Sequence, residues 1–373
     1  MNILIVRLSS MGDVIHTLPA MRALRATYPG ATLGWAVEDA HSGILRGLSE
    51  IDRLFILPRK QLKGGVRSFL RTRSEMRSRL REVDWDLAID FQGLWKSLAV
   101  ARWSGAKRVA GYAPSVEKTH WLYTDRIDLP TLDRHAVDRN LDLVSALGAS
   151  VRHAETRSDF SRDFSLPLQP SDRAAADQAL ADLNLPAESP KVLLNFSARK
   201  PANRWGTSAF AQLADRLIAE GMTPILTGGP DDLTEAEEIQ SLAEHPIPSL
   251  VARCNLMQIS ALMKKVDVLV TGDTGPMHIA VAMNLPVIAL FGPANPVRTG
   301  PYSPDAVVLQ KPRECQPCYA RHCKFGEEPP LCLVEIGVEE VVNRVRESLG
   351  ERGYPATAAK VTADPVGESS HTS

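Results

Sequence analysis

A chain of 373 residues is too long for one ordinary hydrophobic core, so two domains are expected. Its 44% hydrophobic and 23% charged residues are ordinary for a globular protein, and a net charge of −1 gives no overall attraction to nucleic acid. No apolar stretch reaches the roughly 18–20 residues that span a bilayer, and no signal-peptide pattern opens the chain, so a cytoplasmic protein is expected.

In chain order, Ile3-Leu4-Ile5-Val6 reads as a buried strand, followed by the loop Ser9-Ser10-Met11-Gly12-Asp13 and a helix over 13–28. Pro29-Gly30 closes that helix, and residues 33–37 supply a second strand. Segment 59–81 carries nine Lys or Arg against one acid, Glu75. Its apolar residues Val66, Phe69, Leu70, Met76, Leu80 and Val83 recur at helical spacing, which predicts a stripe packed on the domain. A basic amphipathic segment also suits anionic lipid or a phosphorylated acceptor. Leu87-Ala88-Ile89-Asp90 is another strand, then come Gln92-Gly93 and a helix through Leu98.

Composition shifts at 165–190, where Leu166-Pro167-Leu168-Gln169-Pro170 reads as a linker and Pro186 and Pro190 mark a second break. The second half restarts with the strand Val192-Leu193-Leu194-Asn195, and a further strand covers 223–227 before Gly228-Gly229-Pro230. Strand 266–270 enters the loop Thr271-Gly272-Asp273-Thr274-Gly275, Pro276 opens a helix, and 287–290 is the next strand. A last helix is expected over 338–349, and a disordered tail over 351–373. Alternating strands and helices predict an α/β protein of two doubly wound, Rossmann-like domains, 1–167 and 168–350, with a ligand cleft between their facing carboxyl edges.

The loop at 271–275 points free N–H groups past a strand end, which suits a phosphate. Neither G-x-G-x-x-G after the first strand nor G-x-x-x-x-G-K-[ST] anywhere is present, which disfavours a hydride-transfer enzyme and a P-loop phosphotransferase. Asp13 suits both a helix cap and a general base at the cleft mouth. His16, one turn on, either orients it or lines the same face, and the second is expected here. Loop Ser197 to Trp205 holds three cations, Arg199, Lys200 and Arg204, suited to a diphosphate. Trp205 is expected to pack against the following helix. Asp273 suits a helix cap or a sugar hydroxyl, and His278 lies within reach of a phosphate. Cys315, Cys318, Cys323 and Cys332 are spaced C-x2-C-x4-C-x8-C, more tightly than paired zinc knuckles. We read plain thiols on a surface loop, with a structural zinc as the alternative.

Residues 5–19 resemble the opening of bacterial lipopolysaccharide heptosyltransferases, glycosyltransferase family nine. Asp90-Phe91-Gln92-Gly93-Leu94-Trp95-Lys96-Ser97, His135-Ala136-Val137-Asp138-Arg139 and Gly272 to His278 are similar to three further motifs, and the likeness runs over about residues 1–350. The resemblance implies the GT-B fold, an ADP-heptose donor, and transfer of L-glycero-D-manno-heptose to the lipopolysaccharide inner core with inversion. It places the catalytic aspartate at Asp13 and implies a donor site of Ser197, Arg199, Lys200, Arg204, Asp273, Thr274, Gly275, Pro276, Met277 and His278. Acceptor contacts fall on Ser10, Arg59, Lys60, Lys63, Gln92, Gly93 and Lys96.

No cofactor and no metal are implied. The expected partners are ADP-heptose, a Kdo-lipid A or heptosyl-Kdo-lipid A acceptor and the inner-membrane surface, with no nucleic acid and a monomeric chain, seated peripherally on the cytoplasmic face. The opening motif leans towards a first-heptose enzyme. One departure stands out: the family places a lysine two residues before the tryptophan, and Asn203 stands there in this chain. The alternatives are a related transferase or isomerase using another nucleotide sugar, and a non-catalytic sugar-nucleotide or lipid A binding protein.

Overall fold

The structure is a computed structural model that describes residues 1–62, 64–129, 131, 133–153 and 163–351. The expected tail beyond Glu351 lies outside the described residues. Two parallel sheets organise the chain. The first contains β1 (Asn2–Val6), β2 (Thr32–Glu38), β3 (Arg53–Leu57), β4 (Leu87–Asp90), β5 (Arg108–Ala113) and β6 (Asp125–Asp128), in the order β3-β2-β1-β4-β5-β6. The second contains β7 (Lys191–Asn195), β8 (Thr223–Thr227), β9 (Val268–Gly272), β10 (Val287–Phe291) and β11 (Ala306–Gln310), in the order β11-β10-β9-β7-β8.

These strands read as unbroken apolar runs because both faces are covered. On β1, Ile3 and Ile5 join one core cluster and Leu4 and Val6 another, following the two-residue period of a strand. Register places Ile5 beside Trp35 on one side and Ile89 on the other. The core around Ile5 and Leu18 continues into the second half of the chain through Met277 and Ile279. Helix Met11–Thr27 packs directly on helix Gly275–Ala282. Helix Pro170–Ala181 packs on helix Leu256–Leu262, so the chain has joined the second sheet's layer before β7 begins. No described helix is long and apolar enough to cross a membrane.

The order of each sheet reverses once, between β1 and β4 and between β7 and β9. At such a reversal the connecting loops leave to opposite faces and open a crevice outside the strands' carboxyl ends. The four loops that follow these four strands carry four of the singled-out segments, while His135 to Arg139 follows β6.

Segment 59–81 differs from its expected form. It divides into a short turn, Arg59–Leu62, and the helix Val66–Leu80, with Gly65 at φ +93° before the helix, a left-handed backbone that glycine adopts without strain. Met76 and Leu80 are buried, whereas Val66, Phe69 and Leu70 are exposed. The apolar stripe packs only along the C-terminal half of the helix.

Candidate active site

The two crevices face each other and form a cleft of about 440 Å³. The first domain contributes Ser10, Met11, Gly12, Asp13, His16 and His41; the second contributes Ser197, Arg199, Lys200, Asn203, Asp273, Thr274, Gly275, Pro276 and His278.

Asp13 occupies the first turn of helix Met11–Thr27, where the Ser10 N–H donates to its Oδ2 at 3.0 Å and the Ser10 hydroxyl at 2.8 Å. It therefore caps the helix start. Its other oxygen is paired with the Arg7 guanidinium, which also donates to the Phe91 carbonyl. With 31% of its side chain accessible, the carboxylate still opens onto the cleft. Desolvation raises its pKa, but Arg7 and the two Ser10 hydrogen bonds outweigh that and hold it below the usual aspartate range. A carboxylate in this setting is ionised at neutral pH.

His16 does not orient Asp13. Its Nε2 lies 3.0 Å from Nδ1 of His278, a hydrogen bond between the two domains, and the His135 ring stands 4.9 Å from its own. His135 in turn donates from Nε2 to the Gly300 carbonyl at 3.0 Å. Burial lowers the pKa of His278 to about 4 and that of His16 well below its ordinary value. Both rings are neutral at pH 7, so His278 lines the cleft as a dipole rather than as a cation for phosphate.

In the second domain, Asn195 at the end of β7 donates from Nδ2 to Thr271 Oγ1 at 2.9 Å and to the Ser197 carbonyl at 3.2 Å, tying the two loops together. Asn203 Nδ2 donates to the Asp273 carbonyl at 3.0 Å. A side chain at Gly272 would meet the Asn203 carbonyl at 2.7 Å, so the loops approach as closely as glycine allows. Burial raises the Asp273 pKa to about 6, with Lys200 and Asn203 opposing the rise.

Two expected donor-site residues lie elsewhere. Arg204 donates from Nε to the Ala198 carbonyl at 2.9 Å and is paired with Glu235, lining a separate hollow with Pro201 and Glu238. Met277 is fully buried in the core, on the side of its helix turned away from the cleft. Trp205 packs as expected: it is buried, donates to the Ile336 carbonyl at 3.0 Å, and meets the Phe210 ring edge-on.

Among the described acceptor-side residues only Ser10 lines the cleft itself. Gln92 accepts the Leu8 N–H at 3.1 Å and donates to Ser9 Oγ at 3.3 Å, and Gly93 is a buried turn at φ +70° whose N–H bonds Asp90. Both shape the loop after β4, with Gln92 half-buried and Gly93 buried. Lys96 donates to Glu38 and Ser9 Oγ at 2.8 and 2.9 Å, and Arg59 stands 3.8 Å from the same Glu38. Lys60 is exposed, and Lys63 lies outside the described residues.

The structure adds three residues the sequence reading passed over. Arg7 holds Asp13, His41 lines the cleft from the turn after β2, and Tyr319 reaches it from the cysteine loop. Position just past a strand's carboxyl end was the available signal for His41. Nothing local marked Tyr319. The four clustered cysteines line one small apolar cavity with Ala202 and Pro293, all are free thiols, and no described residues form a group suited to a metal ion.

Comparisons with known proteins place this geometry. The family model "Glycosyltransferase family 9 (heptosyltransferase)" matches residues 73–328. Lipopolysaccharide heptosyltransferase 1 of Pseudomonas aeruginosa is 27% identical over 366 residues, covering 94% of this chain and 98% of that protein. Among solved structures, a family 9 glycosyltransferase of Veillonella parvula aligns with a TM-score of 0.80 at 22% identity, over 94% of this chain and 97% of its own. An Escherichia coli heptosyltransferase solved with ADP aligns at 0.73 and 23% identity, over 93% and 100%. Those two likenesses establish the shared two-domain fold, GT-B.

Proposed function

The chain belongs to glycosyltransferase family 9, the heptosyltransferases, and from that premise we propose that it moves L-glycero-D-manno-heptose from ADP-heptose to the Kdo or heptose of the lipopolysaccharide inner core, with inversion. Residues 1–167 would hold the acceptor and 168–350 the donor. The observation that carries the reading is an ionised Asp13, open to the cleft, facing a phosphate-suited helix start and Lys200 across it.

In this account an Asp13 oxygen takes the proton of an acceptor hydroxyl as that oxygen attacks the anomeric carbon. The new C–O bond forms on the face opposite ADP, while the bond from the anomeric carbon to the diphosphate oxygen breaks and its electron pair leaves with ADP. A carboxylate of low pKa suffices because the attacking hydroxyl becomes acidic only as the bond forms. Charge developing on the diphosphate meets N–H groups at the start of helix Gly275–Ala282 and a cation. Of the three cations in the 197–205 loop, Arg204 is engaged by Glu235, while Lys200 acts on Asp273 beside that helix. Arg199 also lines the cleft but is exposed and acts on His41, so Lys200, the cation beside Asp273, is assigned the leaving group.

Relatives support the donor and acceptor: one is a lipopolysaccharide heptosyltransferase 1, and solved neighbours include one with ADP. Asp13→Asn is expected to abolish transfer, with ADP affinity retained. The acid limb of kcat/KM for the native protein should lie below the ordinary aspartate range, since the base works only when ionised and Arg7 lowers its pKa. Arg7→Met removes the largest influence opposing burial, leaving mainly the Ser10 hydrogen bonds, and should move that limb upward. Near-native turnover in Asp13→Asn, or a limb that Arg7→Met does not move, contradicts the assignment.

A further inference from the structure

The rings of His16, His135 and His278 meet where helix Met11–Thr27 packs on helix Gly275–Ala282, and the transfer steps use none of them. Burial above all keeps the three imidazoles uncharged at neutral pH. Each therefore carries one proton, and its hydrogen-bond partners decide which nitrogen holds it.

His135 is fixed by the main chain. Its Nδ1 accepts the Val137 N–H at 3.2 Å, so its proton is on Nε2, which donates to the Gly300 carbonyl at 3.0 Å. His16 is fixed through its own carbonyl, which accepts from Asn140 Nδ2 at 2.9 Å. Its Nε2 stands 3.0 Å from His278 Nδ1, and a single proton lies between them. If His278 supplied that proton, His16 would carry its own on Nδ1. That atom is buried with no hydrogen-bond partner among the described residues, in the field of the Arg7 and Arg139 guanidinium groups. A buried N–H without an acceptor, facing positive charge, is doubly unfavourable. If His16 supplies the proton, its Nδ1 is a lone pair, which the same two arginines stabilise.

The second arrangement puts the His278 proton on Nε2. That nitrogen, left unengaged by His16, lies on the ring edge against Gly12, where His278 lines the cleft. We propose that His16 is a positioning residue: its Nε2–H locks His278 in the tautomer whose own Nε2–H is offered to an anionic phosphate oxygen of the nucleotide sugar. The opposite tautomer would present a lone pair to that oxygen and repel it. The inference deepens the transferase reading and rests on it for the identity of the ligand. The lock crosses from one sheet's layer to the other, so the helix that carries Asp13 also completes the donor site.

The test begins with the full native chain, labelled at the histidine nitrogens and free of ligand. Long-range proton–nitrogen NMR reads which ring nitrogens are protonated, and the His278 signals are those lost in His278→Gln. His278 should be protonated on Nε2 alone, with the shared proton bonded to His16 Nε2. Calorimetric titration with ADP then compares two variants. His16→Gln keeps a side-chain N–H donor and should bind within about twofold of native protein, whereas His16→Met has none and should bind about tenfold more weakly. In a His278→Gln background, His16→Met should cost nothing further, a non-additivity that a merely structural role does not produce. His278 protonated on Nδ1, native affinity in His16→Met, equal loss in both His16 variants, or full additivity overturns the lock. Failure of native protein to bind ADP, with His278 protonated on Nε2, would strike the donor reading and not the lock.

Discussion

Asp13 meets two demands with one carboxylate. One oxygen caps a helix and the other is paired to Arg7, yet a third of the side chain still faces the cleft. The sequence left capping and catalysis as rival readings, because position at a helix start suits both. Geometry makes them compatible, since a capped aspartate is a fixed one. Lys200 and Arg204 went the other way. Four positions apart in a polar loop, they were equivalent as sequence, and Glu235, 31 positions beyond Arg204, separates them. A partner that distant leaves no local mark. We expect Lys200→Met to cost about 10²–10³ in kcat, the usual effect of removing one aimed donor from a developing anion. Arg204→Met should leave kcat within a few-fold and lower the melting temperature instead. Steady-state kinetics with thermal unfolding of both variants checks this, and the reverse pattern moves the leaving-group role to Arg204.

At the scale of elements, the βα units were legible because both signals were local: apolar runs for strands buried on two faces, and small or polar residues at the turns that follow. Pro276 opens its helix as expected, and Asn284 closes it at φ +60°. The basic segment was legible as a helix but not as a half-packed one. Periodicity describes the helix and says nothing of how far the sheet beneath it extends, so Val66 and Leu70 read like Met76 and Leu80. The meeting of helix Met11–Thr27 with helix Gly275–Ala282 joins residues more than 250 positions apart, and no spacing rule reports it. That meeting makes Gly12 a test. Alanine in a helix is ordinarily favoured over glycine by roughly 0.5–1 kcal/mol. At this position its Cβ would lie 2.3 Å from the buried His278 ring, which His16 holds in place. Overpacking of this kind costs about 1–3 kcal/mol and should win. Gly12→Ala is therefore expected to lower stability in denaturant melts and raise the donor KM; a stabilised variant would show that the two helices part easily.

At the scale of the whole molecule, two sheets with one order reversal each place four loops around a single cleft. Alternation of strands and helices announced the two parallel sheets, but strand order is a matter of long-range pairing and lay beyond the sequence. Once the order is known, the location of the site follows from it. The motifs had already marked the loops after β1, β4, β7 and β9, the four strands at the reversals. Asp13 and Lys200 line one cleft from different domains, so in the proposed mechanism they would act on one substrate pair only while the domains are in register.

The central claim is a direct displacement in which Asp13 deprotonates the acceptor and ADP departs from the opposite face. Single-turnover reaction of the native protein with ADP-heptose and a Kdo-lipid A acceptor, followed by NMR assignment of the product's anomeric configuration, tests it most directly. The account predicts one heptose transferred per active site with the configuration inverted relative to the donor. A product of retained configuration, or ADP release as hydrolysis without transfer, would contradict it.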